Sequence, residues 1–397
     1  MRFIFFSVAL SFFAAVYLAR SAIAADTAAR PVVTLSPSSD NAGAIQAAWL
    51  AGKDVLLSAG VYTIERTIHR PAHASLRGVN RQMVVLLPSS NQDIIEGSRL
   101  LPAKYQNDGV NPDGGGISDL TMDATDFPGV PLYRETVSEP GLRFRNLRII
   151  AGAAAAYNSP GASWTNIEFD HSTIASNNDD VTFTNISFFG APAVDGANEF
   201  LIGGNNVTVL HGLWRNTQRG MVIRWAMNNA KFKDLDFEDI CASPYNANEV
   251  ILEESSGPLT NSTFDTIQIH NCRGRPIALD FGGATGNLFA RFDIDGGEGV
   301  SIGYKHDMGA NVFHNHFTEF EMRNVMHFCF NSAHDNVLDN CAIIDPRPSW
   351  CSQYTFDPRV YRRQAVIVGA DQNFVDYPKT VRVIGLPEGW VIGAGGQ

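Results

Sequence analysis

Phe144-Arg145-Asn146-Leu147-Arg148-Ile149 is followed 20 residues on by Trp164-Thr165-Asn166-Ile167-Glu168-Phe169, and after a further 19 by Phe183-Thr184-Asn185-Ile186-Ser187-Phe188. Each segment reads apolar, polar, Asn, apolar, polar, apolar. Phe232-Lys233-Asp234-Leu235-Asp236-Phe237 repeats the pattern, and further copies fall at Phe264 to Ile269, Phe289 to Ile294, Phe313 to Phe317 and Leu338 to Ile343. Alternation with period two marks strands with one buried face. The later copies are offset by 25 (264 to 289), 24 (289 to 313) and 25 (313 to 338) residues. That spacing describes the turns of a coil, none of which buries its apolar face alone, so successive turns must stack on a shared core. Asn229, Asn261, Asn287, Asn311 and Asn336 each stand just before a strand. Asn tolerates the left-handed backbone of a tight turn and bonds its neighbours, so a ladder of turn residues is expected there.

Working outward, Asp40-Asn41-Ala42-Gly43-Ala44-Ile45-Gln46-Ala47-Ala48, followed by Val55-Leu56-Leu57-Ser58-Ala59-Gly60-Val61-Tyr62-Thr63-Ile64, resembles the opening of the pectate-lyase-like superfamily, which includes the polygalacturonases. The resemblance covers nearly the whole mature chain at the level of architecture. It implies an all-β, right-handed parallel β-helix with a short amphipathic helix capping its start. An open end would leave the core and a sheet edge uncovered, which is the physical need for such a cap. The chemical signatures of the superfamily depart from their usual form. Gly297-Glu298-Gly299 has Glu where polygalacturonases have Gly-His-Gly, and Asn178-Asp179-Asp180 lies 118 residues upstream of Glu298. Asp345-Pro346-Arg347-Pro348 shares its first two residues alone with the Asp-Pro-His-Asp signature of mannuronan epimerases. The calcium-aspartate and arginine-base pattern of pectate lyases does not occur in its usual order.

The chain opens with Met1-Arg2, an apolar run from Phe3 to Ala19 and Ala22-Ile23-Ala24, the layout of a secretory signal peptide over residues 1–24. A secreted or periplasmic product is expected, without stable membrane insertion, because no later stretch approaches the roughly 20 apolar residues of a spanning helix. Processing moves the formal charge from −11 to −13. That balance argues against a nucleic-acid partner, and an acidic substrate would need a local basic patch. Residues 25–397 read as one β-helix domain: a cap and first rungs over 25–94, a long excursion over 95–140, regular rungs over 141–345, and a loop with the last rungs over 346–397. Long loops on such a scaffold carry function or are idle surface. Five cysteines would meet an oxidising compartment, and strand register suggests Cys241–Cys272 and Cys341–Cys351 bridges, leaving Cys329 over. Zinc-type ligand spacings are absent.

In the superfamily that this chain resembles, the substrate groove runs along the sheet made by the strand after each rung's variable loop. Those strands are expected at 199–203, 221–225, 250–254, 277–281, 300–304 and 327–331. With Met221, Ile223, Val250, Leu252, Ile277, Leu279, Val300, Ile302, Phe328 and Phe330 facing inward, Arg224, Glu253, Asp280, Gly303 and Asn331 form an outward row. Glu253 and Asp280 either share a hard cation such as calcium or act as acid and nucleophile or base on a glycosidic bond. Arg224 would neutralise a substrate carboxylate, and Lys305 and His306 are the candidates for proton transfer. Arg219, with His211 and Arg215 near it, extends a basic subsite or belongs to a surface loop. Trp225 and Tyr304 stack on sugar rings or fill strand ends, and His327 and His334 read as structural. The same row also reads as a solvated, salt-bridged stripe. The function expected is an exported enzyme cleaving glycosidic bonds of a polysaccharide, as a lyase, a hydrolase or a fructan-type transferase. The alternative is a glycan-binding β-helix without catalysis.

Overall fold

The computed structural model describes residues 30–97, 115–135, 139–156, 159–190, 200–217, 219–240, 250–254, 257–272, 277–281, 283–296, 299–302, 312–325, 327–330, 333–334, 336–345, 366–368 and 381–384. The expected signal segment lies outside them. The strands among the described residues form two parallel sheets. In the long sheet Gly116–Asp123, Arg143–Ile150, Ser163–Asp170, Thr182–Phe189, Thr208–Arg215, Lys231–Glu238, Thr263–Cys272, Leu288–Gly296 and His316–Arg323 pair one after another. Between them in the chain come the strands of the short sheet, among them Pro131–Glu135, Ala153–Ala156, Thr173–Asn177, Phe200–Asn205, Met221–Asn228, Val250–Glu254, Ile277–Phe281, Gly299–Ile302 and His327–Phe330. The chain visits the sheets in alternation and always in the same direction, which makes a parallel β-helix.

One residue per rung explains the sequence pattern. The step of three from Phe144 to Leu147 breaks period two, and Asn146 corrects the phase by adopting φ 51°. It drops out of the ladder, so Arg145 pairs with Thr165 and Leu147 with Ile167 while Phe144, Leu147 and Ile149 all point inward. Asp119, Asn166, Asn185, His211, Asp234, Thr266, Arg291 and Glu319 hold the same left-handed corner, with φ between 51° and 59°. Asn and Asp enter this region at low cost because their side chains bond locally.

The core is a set of aromatic stacks along the coil axis. Phe188, Trp214 and Phe237 stack with centroids 5.3 and 4.5 Å apart, and Phe232, Phe264, Phe289 and Phe317 at 4.4, 5.0 and 4.8 Å. These spacings match the roughly 4.8 Å between neighbouring strands. Phe317, not the expected Phe313, therefore follows Phe289; Phe313 belongs to the short strand Val312–Phe313, which pairs with Ala284–Thr285.

The expected asparagine ladder resolves into two. An outer one links Asp180, Asn206 and Asn229 through side chains at 2.8 and 2.7 Å. A buried one runs from Ser262 through Asn287 and Asn315 to Asn336, each backbone N–H donating to the next Asn Oδ1 at 2.8–2.9 Å. Asn315 takes the rung expected of Asn311, which is outside the described residues.

At the start of the coil the helix Asn41–Leu50 is N-capped by Asp40, whose carboxylate accepts the Gly43 N–H at 2.8 Å. Its buried residues Ala42, Ile45, Ala48 and Trp49 join the core. The excursion expected over 95–140 is corrected in part, since Ile95–Gly97, Gly116–Asp123 and Pro131–Glu135 are ordinary rung strands. Cys341 is a free, buried thiol rather than half of a Cys341–Cys351 bridge: its Sγ turns inward, 3.6 Å from the Phe317 carbonyl, and burial pushes its pKa up to about 12. No described helix is long and apolar enough to cross a membrane.

Candidate functional site on the short sheet

The short-sheet strands lie where the sequence places them, but their register differs from the expected row. Met221 pairs with Leu252, Leu252 with Leu279, Leu279 with Val300 and Val300 with Phe328, and the buried Met221 and Val300 stand in this register row. The alternate phase is Leu201, Val222, Glu253, Asp280, Ser301 and Cys329. Glu253 and Asp280 are thus direct register partners, as expected. Arg224 is not in their row. It is exposed, one rung back and two residues further along the strand from Val222. The displacement has a simple cause: Val250–Glu254 begins two residues before its contact with Met221, so aligning strand starts misplaces the pairing by one alternation step. Ser301 and Cys329 consequently hold the positions expected of Gly303 and Asn331. Gly303, Tyr304, Lys305, His306 and Asn331 lie outside the described residues.

Two described positions of the row are buried. Val222 is 2% exposed although it is no member of the core cluster, and Ala175, on the same phase, is 6% exposed. Trp225 is half-buried, with its Cβ against Gly203: a methyl built on that glycine would come within 2.5 Å of it. Arg219 is half-buried just before Met221, and its carbonyl accepts the Thr217 hydroxyl at 2.8 Å. His211 and Arg215 belong to the long sheet instead, beside Asp234 at 3.4 Å and Glu238 at 2.6 Å, and so extend no subsite here.

Followed toward the N-terminus, the same row passes through Ala175 and Ala155 to Arg134, Glu96 and His69. His69 Nδ1 lies 3.3 Å from Glu96 Oε2, and Arg134 Nε lies 3.1 Å from Asp93 Oδ2. Gln46 of the helix fixes the His69 backbone, accepting its N–H at 2.8 Å and donating to its carbonyl at 3.0 Å. The row therefore has two charged ends and an apolar middle of Ala155, Ala175, Leu201 and Val222. Sequence reasoning missed the first end because Glu96 and Arg134 fell within the supposed excursion. Neither Ile94-Ile95-Glu96 nor Tyr133-Arg134-Glu135 alternates in polarity, so no period-two signal marked them.

Behind that end the inward residues of the same strands form a buried charge cluster with Glu139, which lies beyond the strand Pro131–Glu135. Arg70 is fully buried and contacts the Glu139 and Glu135 carboxylates and the Tyr133 hydroxyl. Burial opposes the Arg70 charge, but the Glu139 and Glu135 carboxylates more than restore it, leaving its pKa well raised. Burial likewise pushes Glu139 up, yet the attraction and hydrogen bonds of Arg70, with the His73 N–H, hold its carboxyl below the usual range. Burial lifts the Tyr133 hydroxyl well above its ordinary pKa and keeps it protonated. The cluster clamps the strands that present His69 and Arg134. Among the described residues no three His, Cys, Asp or Glu side chains gather as a metal site.

No protein-family model matches the chain, and no curated protein matches it. Solved structures show faint likeness. The A-module of mannuronan C-5 epimerase AlgE6 from Azotobacter vinelandii aligns over 91% of this chain and 93% of its own, at 12% identity and a TM-score of 0.39. The alginate lyase AlyF-OU02, solved in complex with G6, aligns over 91% and 84%, at 9% identity and 0.47. PfbA, a surface adhesin of Streptococcus pneumoniae, aligns over 79% and 88%, at 11% identity and 0.39. At these values none of the three assigns a chemistry to this chain, and the coil stands on its own register.

Proposed function

We propose that this chain is an exported enzyme that cleaves glycosidic bonds of a polysaccharide, with β-elimination at a uronic-acid residue as the favoured chemistry. In this reading the coil is right-handed and the helix Asn41–Leu50 closes its first turn. The observation that carries the proposal is the register pairing of Glu253 with Asp280 on the non-core phase of the short sheet, next to the buried Val222. Two adjacent carboxylates with hard oxygen donors fit calcium, supplying at most four of the six to eight oxygens it takes. When bound there, the ion would polarise the uronate carboxyl and acidify the neighbouring C–H. Arg224 would hold the carboxylate from the diagonal position. Lys305 or His306 would take the proton as the C–O bond at the β carbon breaks, the electron pair leaving with the glycosidic oxygen. Hydrolysis is the second reading, favoured by one feature: adjacent rungs about 4.8 Å apart come close to the roughly 5–5.5 Å carboxyl separation of retaining glycosidases.

The test is a panel of acidic and neutral polysaccharides, with and without chelator, following unsaturated-product absorbance and new reducing ends together. Absorbance with reducing ends, lost on chelation, is the expected result. Reducing ends alone would transfer the assignment to hydrolysis. Glu253→Gln and Asp280→Asn should each lower turnover by about two orders of magnitude, the scale of one acid–base or electrostatic contribution. Unchanged turnover in both variants, or silence across the panel, overturns the enzyme reading in favour of a glycan binder.

A further inference from the structure

Just past the residues that pair with Glu253 and Glu254, the strand Met221–Asn228 departs from its register. Ile202 pairs with Ile223 and Gly204 with Met227, so Arg224, Trp225 and Ala226 stand opposite the single residue Gly203. Plain alternation would send Trp225 inward with Ile223 and Met227, both of which belong to the core. The bulge takes it out: Trp225 is half-buried and no member of the core cluster, while Arg224 and Ala226 are exposed. A bulge drops residues from the ladder and re-aims their side chains. Here it forfeits the burial that an indole would bring to the core and turns the largest side chain of the strand to the face that carries Glu253.

The neighbouring rungs make room for it. Asn177 pairs with Gly203. A methyl built on Gly203 would come within 2.5 Å of the Trp225 Cβ and 3.0 Å of the Asn177 Oδ1, so both side chains flank the same bare stretch of backbone. On the following rung a methyl on Gly257 would lie 2.1 Å from the Ala226 nitrogen. The polar groups beside the bulge are uncommitted. Asn177 is exposed and its amide has no hydrogen-bond partner among the described residues, and the exposed Arg224 has no acidic partner among them. An aromatic side chain set next to one amide and one guanidinium matches a ring with an apolar face, hydroxyls on its rim and a single carboxylate, which is the chemistry of a uronic-acid unit.

We propose that this bulge is a sugar subsite, in which Trp225 stacks on one pyranose ring, the Asn177 amide meets its hydroxyls and Arg224 meets its carboxylate. The ligand class, a uronate-bearing polysaccharide, rests on the reading of Glu253 and Asp280 given above; the platform itself does not require that a bond be broken.

The test is equilibrium binding of a fluorescent oligouronate hexamer and of a neutral glucose hexamer. Every protein, the parent included, carries Asp280→Asn, so that the probe outlasts the titration and any effect of that change is common to the series. The parent should bind the oligouronate more tightly than the neutral hexamer. Trp225→Ala should weaken both by about tenfold, the scale of one stacked ring, and Trp225→Phe, which keeps a smaller platform, by less. Arg224→Gln should lower oligouronate affinity to that of the neutral hexamer and leave the latter unchanged. Gly203→Ala removes no side chain but presses on the Trp225 Cβ; it should repeat the Trp225→Ala loss with circular dichroism unaltered, which separates a displaced platform from a failure to fold. The proposal is overturned if the parent binds neither hexamer, if it binds both equally, or if Trp225→Ala or Arg224→Gln binds as the parent does. Reducing ends released by the wild type are a separate readout: binding through Trp225 without cleavage leaves this subsite standing and removes the enzyme reading alone.

Discussion

Asn315 shows how much a single side chain holds in this coil. Its Oδ1 accepts the Asn287 N–H at 2.9 Å, and its amide donates to the Ala284 carbonyl at 2.9 Å, all of it buried. Asn315→Ala strands both backbone groups, at about 1–3 kcal/mol for each buried group left unsatisfied, so a loss of about 2–4 kcal/mol in denaturant unfolding is expected. Glu139→Gln leaves Arg70 short of its main counter-charge inside the protein; breaking one side of a buried pair costs about 3–5 kcal/mol. Because the folded Glu139 pKa lies below its unfolded value, the stabilisation is full above the unfolded carboxylate pKa of about 4.3 and disappears as pH falls through the folded one. Thermal melts across the acid range should show this loss in the wild type and a flatter profile in Glu139→Gln. At Thr266 the sequence works against the backbone: a β-branched residue at φ 59° sits where Asn fits better. Thr266→Asn should therefore stabilise by about 1 kcal/mol, the lower end of the left-handed penalty. The corner asparagines were legible in the sequence because spacing exposes them. Arg70, Glu135 and Glu139 were not, since three charged residues in unlike segments show no period and converge through the coil alone.

At the level of strands, alternation gave the short-sheet elements nearly residue for residue: Val250–Glu254 and Ile277–Phe281 coincide with their expected bounds. Register was harder, because a strand's start after a long loop says nothing about which of its residues first meets a neighbour. Arg224 was misplaced for that reason, whereas Glu253 and Asp280, on strands that begin together, were placed correctly. Packing across strands makes a separate prediction. Trp214 is fully buried between Phe188 and Phe237, and its Nε1 has no hydrogen-bond partner among the described residues. Trp214→Ala should cost about 3–5 kcal/mol through the cavity left in the stack, while Trp214→Phe, which forfeits no hydrogen bond, should cost clearly less in the same denaturation series.

Over the whole molecule, the repeat of short apolar units was enough to read a coil, because stacked rungs are the one arrangement in which every unit buries its face. The chemistry was less legible, as the row along the short sheet is assembled from single residues many rungs apart. The Arg134 and Glu253 ends of that row are separated by Ala155, Ala175, Leu201 and Val222, a span of about 24 Å at about 4.8 Å per rung. Ser163 and Thr182 occupy equivalent places on neighbouring rungs, so excising residues 163–181 would splice the path without a change of phase. The aromatic column would then set Phe144 directly upon Phe183, and circular dichroism should report an intact, shorter coil. Distance between the two ends is thus counted, not graded. Lineages that gain or shed a rung would move from one ligand length to the next in whole steps, as beads are added to or taken from a string.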